Sequence, residues 1–217
     1  MIVEDLLVRI NKRVILNKLS FEFARGNSYG IIGRNGSGKT TFLKAILNLV
    51  KFRGSIYYTS SDSKIGFVPE EPVLYSDLTV IQNLNISGIN FNNKADVYNK
   101  LELCKLEEVK DKKVKTLSQG QKKRLLIAMA IISNAKILLF DEPLNGLDDE
   151  GRYIFGDIIS RKTNDSIIVI VSHDFDLIEK YCSKVLFLKS GKFIQTLDLA
   201  EIKQNYGDLG IAFKTLC

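Results

Sequence analysis

Hydrophobic positions recur along the chain in two rhythms. Ile2–Ile10 mixes Ile, Val and Leu with charged residues and predicts a strand. Leu19–Ala24 alternates Leu and Phe against Ser and Glu, which predicts a second strand with one wet face. Arg25-Gly26-Asn27 is a turn signal, and Ser28–Ile32 predicts a short strand buried on both faces. Leu43, Ile46, Leu47 and Val50 then lie on one stripe at helical spacing, so Thr41–Val50 is expected as a helix.

Gly54–Tyr58 and Lys64–Pro69 read as strands. From Ser76 to Val114 the pattern turns helical through Val80, Leu84, Val97, Leu101 and Leu103, with the Asn-rich piece Asn90–Asn93 expected as a loop. Thr116–Ser133 predicts a further helix opening at Ser118. Strand and helix then alternate: Ile137–Phe140, Asp149–Lys162, Ile167–Val171, Phe175–Tyr181 and Val185–Leu188. Lys189–Lys192 forms a hairpin turn into Phe193–Leu197, and one short helix is expected to close the chain. This alternation implies a mixed α/β fold with a mostly parallel sheet, interrupted by a helical insert over about 76–134.

Composition narrows the function classes. The 217 residues are 45% hydrophobic and 26% charged, close to the globular average, so general disorder is excluded. The strongest apolar runs, Leu125–Ile132 and Ile167–Val171, fall far short of the roughly 20 residues that span a bilayer. Met1–Asp5 is acidic, unlike the start of a secretory signal. Three scattered cysteines without a CxxC argue against a disulfide framework and a zinc site, and suit a reducing cytosol. A net charge of +6 is compatible with nucleic acid, an anionic membrane surface or phosphorylated ligands and selects none of them.

Gly33-Arg34-Asn35-Gly36-Ser37-Gly38-Lys39-Thr40 matches G-x-x-x-x-G-K-[ST] between an expected strand and an expected helix. Backbone N–H groups of such a turn, with the free donors of the following helix, surround an anion. Bulky side chains would block that approach, which accounts for Gly33, Gly36 and Gly38. Lys39 is suited to the β- and γ-phosphates and Thr40 to Mg²⁺, with Thr41 adjoining. A chance match in an inert loop would not carry this strand–loop–helix context.

Ile137–Phe140 runs into Asp141-Glu142-Pro143. On its own that ending would read as a helix start, since Asp caps and Pro favours the first helical position. Beside a phosphate loop, Asp141 is a candidate Mg²⁺ partner and Glu142 a candidate for polarising the attacking water.

Leu117-Ser118-Gln119-Gly120-Gln121 opens a basic helix, and here the sequence resembles the ABC ATPase family over about Ile2–Ile194. The order of motifs is similar: phosphate loop, Q-loop, helical segment, LSxGQ signature, acidic strand end, D-loop and switch histidine. The resemblance implies a P-loop NTPase with a mostly parallel sheet core, an antiparallel β part and a helical subdomain, all in one ATPase domain. It implies ATP and Mg²⁺ as ligands and a head-to-tail dimer with a second copy or paralogue. Ser118 and Gly120 would then meet the γ-phosphate of the partner's ATP, and Asp148 in Leu144–Asp148 would couple the two sites. His173 falls at the switch position, directly after Ile167–Val171. A lone histidine is commonly a residue without catalytic consequence, but this one sits at the ligand edge of the expected sheet.

Two positions depart from the family pattern. Glu70 stands where the Q-loop carries Gln, keeping an oxygen for Mg²⁺ while losing the amide donors. Ile10 stands near the position of an adenine-stacking aromatic, so base discrimination is expected to be loose. The resemblance extends to transporter subunits, with Val73–Leu84 similar to the stretch that receives the permease, although its apolar residues equally suit internal packing. The expectation is an exporter-type subunit, peripheral on the cytoplasmic face of the membrane, partnered by a transmembrane permease and not by nucleic acid. The alternative is a non-transport ABC ATPase acting on ribosomes or nucleic acid. The short interval from Leu43 to Gly120 lacks the heptads of a coiled-coil insertion. The basic run Lys110, Lys112, Lys113, Lys115, Lys122, Lys123 and Arg124 could track nucleic-acid phosphates, but is expected as a solvated helix face or as a complement to bound ATP and membrane headgroups. A metabolic kinase would leave the signature unexplained.

Overall fold

The computed structural model describes residues 1–58, 64–87, 94–132 and 134–217. In chain order these form β1 (Ile2–Ile10), β2 (Arg13–Glu22), β3 (Asn27–Ile32), α1 (Lys39–Ile46), β4 (Phe52–Tyr57), β5 (Ile65–Val68), α2 (Val80–Ser87) and α3 (Lys94–Leu103). There follow α4 (Gln119–Ile132), β6 (Ile137–Asp141), α5 (Asp149–Lys162), β7 (Ile167–Val171), α6 (Phe175–Tyr181), β8 (Lys184–Lys189), β9 (Lys192–Asp198), α7 (Leu199–Tyr206) and α8 (Leu209–Leu216). The loop expected over Asn90–Asn93 lies outside the described residues.

Two compact units result: Met1–Ser63 with Thr163–Cys217, and Lys64–Lys162. In the first, β2, β1 and β4 form an antiparallel sheet, while β3 lies parallel between β7 and β8, and β9 pairs antiparallel with β8. All of β7 is buried, as a strand covered on both faces must be. Phe23 meets Tyr29 and Phe42 at ring-centroid distances of 4.9 and 5.9 Å, building an aromatic core under the loop that follows β3. In the second unit, β5 pairs parallel with β6, and α4 packs against β5 and α2. Gly66 lets α4 approach: a Cβ there would lie 2.2 Å from the Ala130 carbonyl oxygen.

The structure corrects several boundaries. β2 begins at Arg13 because Asn11 and Lys12, at φ 48° and 65°, make a tight hairpin turn that pairs Ile10 with Arg13. α1 stops at Ile46, short of the expected Val50. Asn48 turns left-handed at φ 56°, and Leu49 and Asn48 donate to the carbonyls of Lys44 and Ala45, which closes the helix in a Schellman motif. The C-terminus carries two helices in place of one, divided at Gly207 (φ 86°), with the Asp208 side chain capping the second at the Ile211 N–H. No helix among the described residues is long and apolar enough to cross a membrane.

Candidate functional site

The first unit carries the loop between β3 and α1. A Cβ on Gly33 would meet the Leu188 carbonyl oxygen at 2.3 Å, so only glycine fits there. Gly36 has φ 78° and open space around it, and Gly38, at φ 110°, caps α1 with no side-chain bond to the helix. No acidic residue occupies the first turn of α1, so its free N–H groups and positive dipole end face the loop uncompensated. The Ser37 hydroxyl is buried with no hydrogen-bond partner, and the Lys39 ammonium folds back to donate to the Gly33 carbonyl at 2.7 Å. This cradle fits a phosphate chain: donors converge, side chains stay out of the way, and a cation lies ready. Thr40 and Thr41 sit half-buried at the start of α1, and Arg34 and Asn35 are exposed on the loop.

His173 follows β7 and is exposed. It lines a cavity of about 540 Å³ together with Gly33, Arg34, Asn35 and Ser172, so tertiary structure does bring this histidine to the phosphate loop. Asp174 fixes its flank, accepting from the Leu177 N–H at 3.1 Å as the N-cap of α6. Phe213 of α8 closes the cavity wall and packs against Phe175, with ring centroids 5.3 Å apart and the planes inclined at 52°.

The second unit carries the carboxylates. Asp141 ends β6 and is buried, and Glu142 is buried behind it with φ 46°. A non-glycine residue in that left-handed region costs about 1 kcal/mol, and such cost concentrates at functional positions. Buried carboxylate oxygens suit a hard cation such as Mg²⁺, which takes one or two carboxylates alongside substrate phosphates. Glu70 lies exposed just past β5. Ser118 and Gln121 form a capping box at the head of α4: the Ser118 hydroxyl accepts from the Gln121 N–H at 3.1 Å, and the Gln121 side chain accepts from the Ser118 N–H at 3.0 Å. Asp148 caps α5 by accepting from the Gly151 N–H at 2.8 Å. Asp148 also lies beside Gly120, where a Cβ would be 3.4 Å from its carboxylate.

Lys123 and Arg124 correct the expectation of a solvated basic face. They are 1% and 6% exposed. The Lys123 ammonium donates to the carbonyls of Pro69 at 2.9 Å and Glu70 at 3.1 Å. Burial pulls it below the ordinary lysine range, while Glu70, Asp141 and Glu142 push back. Arg124 pairs with Glu150 at 2.8 Å. The signal was hidden because α4 is buried nearly all round and has no clean apolar stripe.

A strand–loop–helix phosphate cradle in a largely parallel α/β fold defines a P-loop NTPase. An ATP-binding subunit of an ABC transporter has the same fold, with a TM-score of 0.89 at 24% identity, covering 99% of this chain and 98% of that one. The ABC transporter family profile matches residues 16–145. A lantibiotic transport ATP-binding protein of Streptococcus pyogenes is 34% identical over 204 residues, 88% of each chain. A Nod factor export ATP-binding protein of Burkholderia lata is 32% identical over 202 residues, 86% of this chain and 66% of that one. This chain belongs to the ABC transporter family, as an ATP-binding ATPase subunit.

Proposed function

We propose that the chain hydrolyses Mg·ATP to ADP and phosphate and that this drives export through a separate transmembrane permease. The observation that carries the reading is the cradle around Gly33–Thr40, with an uncapped helix start and the Lys39 ammonium aimed into the loop. Backbone N–H groups of Gly33–Thr41 hold the β- and γ-phosphates, and Lys39 balances their charge. Mg²⁺, when bound, neutralises charge developing on the phosphate oxygens, and Thr40, Asp141 and Glu70 are the residues to hold it.

Glu142 is the general base. It takes the proton of the water that attacks the γ-phosphorus, while the bond to the ADP oxygen breaks. His173 donates to the γ-phosphate oxygens and orients that water. Ser118 and Gly120 present the head of α4 to the ATP of a second copy or paralogue in a head-to-tail dimer, and Asp148 couples the two. The two units act as one ATPase domain spanning the chain.

Two observations support a permease partner at the membrane's cytoplasmic face. Relatives named for lantibiotic transport and Nod factor export share the chain at 34% and 32% identity. Val73 and Tyr75 are 78% and 59% exposed within the stretch expected to receive a permease, whereas Val80 and Leu84 turn inward. Burial of Lys123 and Arg124 shortens the basic run that a nucleic-acid role would use.

The test is an affinity pull-down of Glu142→Gln with Mg·ATP from detergent-solubilised native membranes, read by mass spectrometry. Recovery of a polytopic membrane protein is expected. Recovery of ribosomes, nucleic acid or soluble proteins alone overturns the transport reading and leaves the ATPase standing.

A further inference from the structure

A buried ammonium is costly unless its surroundings repay the lost hydration. Lys123 is 1% exposed, and the hydrogen bonds found for it are to two backbone carbonyls, those of Pro69 and Glu70. Carbonyl dipoles satisfy N–H donors but do not balance a full charge. A neutral amide could bond to such a carbonyl as well, so what lysine adds is charge and a second donor. The parallel register that pairs Val68 with Phe140 brings the Pro69–Glu70 segment alongside Asp141 and Glu142 at the end of β6. The carboxylates of Glu70, Asp141 and Glu142 oppose the downward pull of burial on the ammonium.

We propose that Lys123 is a positioning residue of the ATPase reaction: its ammonium ties the Pro69–Glu70 backbone to the signature helix and serves as the resident counter-charge of the Glu70, Asp141 and Glu142 carboxylates. The proposal rests on the reading of those carboxylates as the metal and water ligands. Two consequences follow. The tie fixes the backbone from which Glu70 reaches out, so the departure from Gln at that position is matched by a cation on the neighbouring helix. A divalent ion approaching these carboxylates also meets a positive charge already in place. Lys123 therefore weakens divalent binding and raises the Mg²⁺ concentration the enzyme requires.

The test uses the full chain with ATP and Mn²⁺ as the probe, reading by electron paramagnetic resonance the Mn²⁺ concentration that half-saturates the protein–ATP complex. Lys123→Gln keeps a donor and removes the charge. It is expected to lower that concentration at least about threefold, while Lys123→Arg stays within about twofold of the native chain. Hydrolysis by Lys123→Gln is expected to fall and to be restored in Lys123→Arg. A folded Lys123→Gln with unchanged or weaker Mn²⁺ binding overturns the proposal. If Lys123→Gln does not fold, Lys123→Arg decides: a shift of more than about threefold overturns it. A native chain that hydrolyses ATP with Mg²⁺ beside an unaltered Lys123→Gln sinks only the role of Lys123. A native chain without Mg²⁺-dependent hydrolysis sinks the proposed function instead.

Discussion

A Cβ added to Gly120 would lie 3.4 Å from the Asp148 carboxylate, an ordinary contact, so the signature and the D-loop of one chain touch without excluding a methyl group. Gly120 sits in the first turn of α4 with no positive φ to protect. Gly120→Ala should therefore fold and gain about 0.5 kcal/mol from a less flexible unfolded chain. Its ATPase rate should fall at least about tenfold, because the methyl obstructs close approach of an anion to the helix start. Urea melts and phosphate release measured on one preparation check both halves. A destabilised variant would show that the contact is tighter than the geometry says.

Glu142 holds φ 46° at the end of β6. Glu142→Gln preserves shape and removes the carboxylate assigned above as general base, so hydrolysis should drop by about 10² to 10⁴ and Mg·ATP should hold the variant as a dimer. A variant that stays monomeric on gel filtration with Mg·ATP contradicts the trapped dimer. Glu142→Gly should be more stable than Glu142→Ala by about 1 kcal/mol, since glycine alone escapes the left-handed cost. Equal stabilities would mean the backbone relaxes freely there.

The Lys39 ammonium bonds the Gly33 carbonyl at 2.7 Å across its own loop. Lys39→Ala should lose at most about 3 kcal/mol of stability, the upper worth of a hydrogen bond from a charged donor. Hydrolysis should fall to background in a coupled assay. Turnover near the native rate would refute the phosphate-loop assignment.

Gly66 faces the Ala130 carbonyl oxygen at 2.2 Å from where a Cβ would sit, with the Leu138 side chain at 2.8 Å. Gly66→Ala must push β5 off α4, at a cost of about 1–3 kcal/mol. Chemical denaturation should report that loss, and a native-like midpoint would exclude the clash.

Burial raises the Cys104 thiol from 9.0 to about 12. Its folded value lies above the unfolded one, so the stability it contributes is complete below pH 9 and drains away as pH climbs toward 12. Melting temperatures between pH 8 and 11 should fall less steeply in Cys104→Ala than in the native chain. Identical slopes would place the alkaline loss elsewhere. Thiol reagents at pH 8 should modify the less buried Cys217 well before Cys104 or Cys182.

The sequence by itself determined what depends on local spacing. Gly33–Thr40, Leu117–Gln121 and Asp141-Glu142 carry their chemistry in consecutive residues, and the strand Ile167–Val171 announces itself because burial on both faces demands an unbroken apolar run. Turns made by residues other than glycine stayed hidden: Asn11-Lys12 and Asn48 adopt left-handed backbone that composition does not announce. Only the tertiary structure decided which distant groups meet. His173 shares a cavity with the phosphate loop because β7 pairs in parallel with β3, a pairing set by the sheet and not by any local pattern. Lys123 looked like one of several surface lysines until α4 was packed against β5, which shut its ammonium in and gave it the Pro69 and Glu70 carbonyls. A charge's environment is set by what folds over it, and that is written across the chain rather than beside the residue.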